Sequence, residues 1–259
     1  MVPLIKLAIF TATRWEYRSV RQAFLLEQVT TIAGVPCAIG SRGSAQVFVF
    51  QSGIGPHHAL EVSQAVLHYD SWNLVISSGF AGALVPSTIG TIVVGQEVVL
   101  DILPEHHIDS CDRQTIVCDE TFREFAFHVA SSLDGASQSG PIATLPRIIG
   151  EASEKKAIAA RTQAIALDME SAVLGHVAQR KDIPFIVIRT ISDLVEEDLP
   201  INFNLFLRPR SWAKGVCHVL QRPASLMQIP RLRKQMLEAS VQLVNFFQKF
   251  FDEIDPVRQ

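Results

Sequence analysis

The stretch Phe185-Ile-Val-Ile-Arg-Thr-Ile-Ser-Asp193 decides the fold class, because it is an apolar run that ends in polar residues. The run is apolar on both faces, which is typical of a strand buried beneath helices. Ser192 and Asp193 follow directly where the strand should end. The pattern therefore predicts a strand of a largely parallel sheet, with functional side chains beyond its carboxyl end.

Other segments repeat this order of an apolar run, a turn and a helical stretch. The apolar runs span residues 4–10, 47–50, 74–77 and 164–167, and the helices predicted after them span 15–26, 56–68 and about 170–180. Strands that alternate with helices in this way predict an α/β fold. The rest of the chain predicts a valine-rich strand region at 92–102, helices at 121–132, 151–161 and 232–251, and a polar turn at 137–140.

Composition limits the classes of protein to which the chain can belong. Of its 259 residues, 48% are hydrophobic and 19% are charged, which excludes a disordered or fibrous chain and allows a sizeable core. No apolar run approaches the roughly 20 residues of a membrane span, and we expect no secretory signal. Four cysteines without a CxxC pair favour a cytoplasmic protein with reduced thiols. The net charge of -3 argues against a nucleic-acid-binding protein.

The charge is distributed unevenly along the chain. Between residues 199 and 237 there is no acidic residue, while the rest of the chain carries 16 basic and 26 acidic residues. This basic segment contains Arg208, Arg210, Lys214, Arg222, Arg231, Arg233 and Lys234. A solvated basic face is one interpretation, and an anionic partner or membrane surface is the other.

Residues just beyond the apolar runs are expected to meet at one edge of the sheet. They bring carboxylates from three regions and two glycine-rich turns to one cleft. These residues are Glu16, 53–55, 79–82, 168–170 and 192–193. Acidic side chains at such positions also cap helices, so a purely structural role stays open. The Ser52-Gly-Ile-Gly55 turn lacks the Lys of a Walker A loop and the third Gly of a Rossmann fingerprint.

Two stretches resemble the nucleoside phosphorylase superfamily, and within it the 5'-methylthioadenosine/S-adenosylhomocysteine nucleosidases. They are Ala164-Ile-Ala-Leu-Asp-Met-Glu-Ser-Ala172 and Ile183-Pro-Phe-Ile-Val-Ile-Arg-Thr-Ile-Ser-Asp193, with both glycine-rich turns in the family's order. The resemblance covers about residues 4–207. It implies an α/β fold with a central mixed, partly barrel-like sheet flanked by helices, in one domain (1–259) with a basic helical insertion at about 199–237. A homodimer is also implied.

The resemblance implies catalytic roles for three residues. Asp193 would protonate N7 of a purine, Glu16 would activate the attacking water, and Arg189 would help to hold that water. Cleaving an N-glycosidic bond requires an acid on the departing base and a base on the water, which paired carboxylates supply. Because Asp193 would have to hold a proton near neutral pH, we expect a buried, apolar environment around it.

A substrate-binding set is implied as well. Glu170 would accept hydrogen bonds from the ribose hydroxyls, and Met169 would pack against the sugar. The other members are Ser192 beside Asp193, Ile54 and Phe203 at the 5' substituent, Ile148 at the purine, and Phe80, Ala81 and Gly82 in the second glycine-rich turn. Phe80 departs from the family, which has a small or polar residue there, so the 5' substituent stays open.

The sequence therefore favours a nucleosidase that releases adenine from a 5'-substituted adenosine, with two alternatives. A phosphate-dependent purine nucleoside phosphorylase would need donors for its anion, and Glu16 beside the nucleophile would repel phosphate. A non-catalytic nucleoside-binding or membrane-associated protein would bind adenosines without releasing base. We expect no cofactor, and no metal, because the pairs His57-His58 and His106-His107 fit no standard zinc spacing.

The basic segment also suggests a hypothesis about the substrate. Apolar side chains alternate with its cations, and amphipathic basic segments can lie on anionic membranes. Residues 199–237 could thus form a lid or a membrane-facing entrance, with the enzyme peripheral at the membrane and the 5' substituent large and apolar. A family relative that acts on adenosylhopane, a lipid-linked adenosine, provides a comparison for such a substrate.

Overall fold

The computed structural model describes residues 5–101, 115–206 and 227–254. Its strands are β1 (Ile5–Thr11), β2 (Leu25–Ile32), β3 (Val35–Arg42), β4 (Ala45–Gln51), β5 (Leu74–Ala83), β6 (Ile92–Leu100), β7 (Thr115–Val117), β8 (Ser137–Thr144), β9 (Ala166–Asp168) and β10 (Phe185–Asp193). Its helices are α1 (Arg14–Gln22), α2 (Pro56–Leu67), α3 (Glu120–Ser131), α4 (Ala152–Thr162), α5 (Ser171–Gln179) and α6 (Ile229–Glu253). A 3-10 turn spans Phe203–Phe206.

The strands form one mixed sheet, part of which closes on itself. Its hydrogen-bonded order is β10-β6-β8-β9-β5-β1-β4-β3-β2, with β7 on β6, and an additional pairing joins β10 to β5. That pairing closes β10, β6, β8, β9 and β5 into a five-stranded barrel. The neighbours β4, β1, β5 and β10 are parallel, so their carboxyl ends lie at the same edge. The predicted α/β fold with a mixed, partly barrel-like sheet is confirmed.

Apolar burial on both faces of the sheet explains why these strands form. Every residue of β10 from Phe185 to Ile191 is buried, including Arg189. On one face the long helix α6 packs Phe246, Phe247, Phe250 and Phe251, all fully buried, at the spacing of one helical stripe. Helices α2 and α5 contribute to a second apolar cluster. The helices on the two faces thus pack against the strands whose carboxyl ends carry the polar residues.

Two local predictions are wrong. The helix predicted over 15–26 ends at Gln22, and Leu25–Ile32 forms strand β2, which pairs antiparallel with β3. The polar turn predicted at 137–140 belongs to strand β8 (Ser137–Thr144), the parallel partner of both β6 and β9. In both places pairing with a distant strand outweighs local propensity, which is a weak determinant of strands.

The basic segment lies only partly within the described residues. Arg208, Arg210, Lys214 and Arg222 lie outside them, so the helical insertion at 199–237 stays a prediction. Arg231, Arg233 and Lys234 lie in the first two turns of α6. In the described ranges, no helix combines the length and the apolar character needed to cross a membrane.

Candidate active site

The candidate site lies at the carboxyl ends of the parallel strands, where the sequence predicts it. The register of β10 against β5 places Arg189 opposite Gly79 and Asp193 opposite Gly82. The second glycine-rich turn therefore runs alongside the polar end of β10. A shift in register between Ile191 and Asp193 marks the point at which the regular pairing ends.

Glu16 caps a helix and also faces this edge. It is residue N3 of α1, whose capping box begins at Thr13. The Thr13 amide donates to Glu16 Oε2 at 2.6 Å, and the Phe80 amide donates to Glu16 Oε1 at 2.8 Å. Two backbone amides from different elements thus hold a carboxylate that is only 4% exposed. Glu16 therefore has the structural role of a helix cap, and it also lies in the cleft.

Gly79 permits the close approach of Glu16 and Arg189. A Cβ at this position would lie 2.6 Å from Arg189 Nη1 and 2.7 Å from the Glu16 carboxyl carbon, with Glu16 Oε1 closer still. Carbon atoms ordinarily approach no closer than about 3.5 Å. Both side chains therefore occupy space that only glycine leaves free, and they face the same backbone position.

Arg189 is only 1% exposed and belongs to a buried network of charged and hydroxyl groups. Its Nε donates to Asp168 Oδ2 at 2.9 Å, and its Nη2 donates to the hydroxyls of Ser77 at 2.8 Å and Ser171 at 2.9 Å. The other Asp168 oxygen accepts from the Thr144 hydroxyl at 2.6 Å. Burial acts to lower the pKa of Arg189, but the neighbouring carboxylates outweigh it and raise the pKa. The guanidinium therefore keeps its charge.

Glu170 is the second buried carboxyl group near Arg189. Its Oε1 accepts from the Gly55 amide at 2.7 Å, and the residue is 6% exposed. Gly55 has φ of 96°, which favours glycine, and it ends the first glycine-rich turn immediately before α2. Burial raises the pKa of Glu170 to about 8, although the charge of Arg189 acts in the opposite direction. The preceding Met169 is also buried, at 9% exposure.

Asp193 lies in an environment that the sequence analysis did not anticipate. Its Oδ2 accepts from Lys155 Nζ at 2.5 Å, and its Oδ1 accepts from the Ser192 hydroxyl at 3.2 Å. The Asp193 side chain is 13% exposed, while that of Lys155 is fully buried. The expected apolar surroundings are therefore wrong, because α4 brings a buried ammonium against the carboxyl group. Gly82 also lies against it, since a Cβ there would be 2.9 Å from Oδ2.

The segment predicted to contact the purine is joined to the 3-10 turn. The Ile148 amide donates to Asn204 Oδ1 at 2.8 Å, and Asn204 Nδ2 donates to the Ile148 carbonyl at 2.7 Å. Ile148, Phe203 and Asn204 line a cavity of about 450 Å³. Asp198, Leu199 and Pro200 line this cavity and also a smaller one, of about 270 Å³, that Asp193 lines. The cavity that Ile148 and Phe203 line therefore shares part of its wall with the cavity that Asp193 lines.

The structure brings most of the predicted residues together in two adjacent groups. Glu16, Arg189, Glu170 and the 79–80 backbone form one, and Asp193, Ser192 and Gly82 form the other. Ala81 is buried between them, and its carbonyl accepts from the Ser192 hydroxyl at 3.4 Å. Ile54 is 42% exposed in the turn before α2.

Sequence reasoning missed three side chains. Asp168 was placed at a strand end without a role, and Asn204 and Lys155 were not singled out. A signal existed for Lys155, because it shares the buried stripe of α4 with Ile158 and Thr162. A lysine on the apolar face of an amphipathic helix needs a buried partner.

One group of potential metal ligands occurs in the described part of the chain. Donor atoms of His57, His58 and Glu61 lie within 4.8 Å of one another, and all three side chains are exposed on α2. His57 Nδ1 lies 3.5 Å from the Glu61 carboxylate, which suits a surface ion pair when the imidazole is protonated. These side chains take no part in the hydrogen bonds of the candidate site described above.

Comparisons with known proteins agree with this architecture. A curated 5'-methylthioadenosine/S-adenosylhomocysteine nucleosidase from Geobacillus kaustophilus is 27% identical over 217 residues, which cover 78% of this chain and 90% of that protein. The 5'-methylthioadenosine/S-adenosylhomocysteine nucleosidase from Shewanella frigidimarina is 28% identical over 217 residues, which cover 78% of this chain and 92% of that protein.

Solved structures show the same fold. The Helicobacter pylori 5'-methylthioadenosine/S-adenosylhomocysteine nucleosidase superposes with a TM-score of 0.74 at 19% identity, over 97% of this chain and 99% of that chain. Futalosine hydrolase of the same organism also has a TM-score of 0.74, at 20% identity and with equal coverage. The sequence profile described as "Phosphorylase superfamily" matches residues 6–211. The chain belongs to the phosphorylase superfamily.

Proposed function

We propose that this protein hydrolyses the N-glycosidic bond of a 5'-substituted adenosine and releases adenine. The observation that carries the proposal is the buried Glu16 carboxylate, which two backbone amides hold beside Arg189 at the carboxyl edge of the sheet. The nucleosidases among the relatives support the same reaction class. We expect residues 1–259 to act as one domain in this reaction.

Charge favours water over phosphate as the nucleophile. The cation of this cluster, Arg189, is already paired with Asp168, with their closest charged atoms 2.7 Å apart. Glu16 contributes a further carboxylate, which acts on Arg189 electrostatically. A phosphate anion would have to enter a cluster whose positive charge is already balanced, whereas neutral water meets no such repulsion. Glu16 can then accept the proton that water releases.

The reaction needs a proton donor at the other end of the scissile bond. As the C1'–N9 bond breaks, its electron pair moves to the purine, and a proton transferred to N7 neutralises the departing base. Asp193 would deliver this proton, while Glu16 removes one from the water that attacks C1'. The Ser192 hydroxyl, 3.2 Å from Asp193 Oδ1, would keep the carboxyl group oriented.

Glu170 would bind the ribose 2' and 3' hydroxyls. One of its oxygens is held by the Gly55 amide, which fixes the carboxyl group for two donors. Because burial raises the pKa of Glu170 to about 8, the free enzyme carries a proton there near neutral pH. A diol that donates hydrogen bonds favours the ionised form, so we expect nucleoside binding to release this proton.

The same proposal assigns roles to the residues around the substrate and a location to the enzyme. We expect Ile54 and Phe203 to line the 5' pocket, Ile148 to contact the purine, and Phe80 to narrow the ribose end. We expect a homodimer in the cytoplasm that is peripheral at an anionic membrane through residues 199–237. The cations Arg231, Arg233 and Lys234 and the exposed Met227 and Ile229, all near the start of α6, support the membrane contact. A large apolar 5' substituent would suit such a location.

The experiment is a panel of 5'-substituted adenosines incubated with the protein, with and without phosphate, and assayed for free adenine. We expect release that is independent of phosphate. Glu16→Gln should abolish release and keep nucleoside binding, whereas Glu124→Gln, a change at an exposed position on α3, should retain full activity. Release that requires phosphate would establish the phosphorylase alternative. Binding without release would establish the non-catalytic one.

A further inference from the structure

Lys155 is a buried lysine whose charge is directed at one residue of the proposed site. It is fully buried, yet its ammonium makes three hydrogen bonds. Its Nζ donates to Asp193 Oδ2 at 2.5 Å, to the Leu194 carbonyl at 2.8 Å and to the Glu197 carbonyl at 3.2 Å. An ammonium group has three protons to donate, so each can be satisfied in this arrangement.

The surroundings leave Asp193 as the natural counter-ion of Lys155. The side chain of Glu197, whose backbone carbonyl Lys155 contacts, instead accepts from Arg231 and from Gln235 on α6. Asp198 accepts from the Ala152 amide at the start of α4. A buried ammonium needs a paired charge, because an isolated one is strongly disfavoured. The pair is therefore built into the fold between α4 and the end of β10.

We propose that Lys155 is a positioning residue that supplies, through Asp193, the proton that the departing purine receives. This inference rests on the proposed function. Lys155 does not touch the substrate in this scheme. Its ammonium group holds the Asp193 carboxyl group in place and carries the proton that Asp193 passes on. In this scheme the proton reaches Asp193 from Lys155 during the step, so the site does not require the apolar surroundings that the sequence led us to expect.

The step balances in atoms and charge. A Lys155 N–H bond breaks as an Asp193 O–H bond forms, and that O–H bond breaks as N7–H forms on the purine. The C1'–N9 electron pair stays with the purine, and water attacks C1' while its proton moves to Glu16. The net charge of Lys155, Asp193 and Glu16 is −1 before and after the step. Transfer of a proton from Glu16 to solvent and from solvent to Lys155 resets the site.

Lys155→Met tests the proposal, with Lys156→Met as the matched control because Lys156 is the next residue of α4 and is exposed. Loss of general acid catalysis should lower kcat for the adenosine substrate about 10²- to 10⁴-fold, with KM little changed. In 4-nitrophenyl riboside the leaving group is the 4-nitrophenolate anion, which needs no proton to depart. The hydrolysis of this substrate should therefore be retained in Lys155→Met. A lysine that served only to hold the fold would affect both substrates equally.

A double-mutant cycle provides the second measurement. If the two residues act as one unit, Asp193→Asn, Lys155→Met and the double variant should lose similar factors in kcat. The double variant also removes both charges, so it leaves no unpaired buried ion if a single variant folds poorly. A double variant whose loss in kcat equals the product of the two single losses would refute the role of Lys155. A fully active Lys155→Met enzyme would refute it as well. Absence of adenine release by the wild-type protein would instead refute the proposed function.

Discussion

Gly79→Ala probes the geometry of the proposed site without changing any of its functional groups. The added Cβ would lie 2.6 Å from Arg189 Nη1 and 2.7 Å from the Glu16 carboxyl carbon. Arg189 is bonded to Asp168, Ser77 and Ser171, so it has little freedom to move. The Glu16 carboxylate, held by the Thr13 and Phe80 amides, is the side chain that must yield.

The size of the effect follows from these distances. Reaching an ordinary contact of about 3.5 Å requires the carboxylate to retreat by roughly 1 Å. The 2.8 Å bond from the Phe80 amide would then exceed hydrogen-bond range. A displacement of about 1 Å in a reacting group costs on the order of 10²-fold in rate. Overpacking a core position costs about 1–3 kcal/mol of stability, so the variant should still fold.

The assay is adenine release from the best substrate of the panel, measured as kcat/KM beside thermal unfolding of each variant. Gly135→Ala is the control, because the nearest atom to its Cβ would be Gln242 Oε1, at the end of a flexible side chain and 3.4 Å away. We expect Gly79→Ala to lose about 10²-fold and Gly135→Ala to stay near wild type. A folded Gly79→Ala enzyme with unchanged kcat/KM would refute the idea that the position of Glu16 limits the reaction.

Two further predictions concern pH and the membrane. Because burial raises the pKa of Glu170 from 4.5 to about 8, its stabilising contribution is fully present below pH 4.5 and is lost as pH rises through 8. Relative to Glu170→Gln, the wild-type free energy of unfolding should therefore fall between pH 5 and pH 8, by up to about 1.4 kcal/mol per pH unit. Urea titrations at each pH measure it, and free energies of unfolding that change in parallel with pH in the two proteins would contradict this prediction. Cosedimentation with anionic liposomes should occur at low salt and weaken at high salt, and a variant with Arg231, Arg233 and Lys234 changed to Gln should bind less. Sedimentation that is equal with neutral liposomes would contradict the electrostatic explanation.

The sequence alone determined the fold class and the edge at which the candidate site lies. Runs such as Phe185 to Ile191 are apolar on both faces, and this local property reports burial directly. Because parallel strands share one carboxyl edge, Glu16 and Asp193 could be assigned to one cleft without coordinates. Glu170 was assigned by the same rule, although the strand that it follows, β9, pairs antiparallel with β5. The strand at 137–144 could not be found in this way, because its polar residues become a strand only by pairing with β6 and β9.

Tertiary structure alone decided the electrostatic state of the site. The ammonium that faces Asp193 comes from a residue 38 positions away, and the amide that holds Glu16 Oε1 comes from one 64 positions away. Neither partner is encoded in local periodicity, which reports that a side chain is buried but not what it is buried against. The strength of a charge interaction depends on the distance between the groups and on their exclusion from water, and both are set only when α4, β5 and β10 pack together. For this reason the sequence pointed to the Asp193 carboxyl group, and the fold revealed that Lys155 is paired with it.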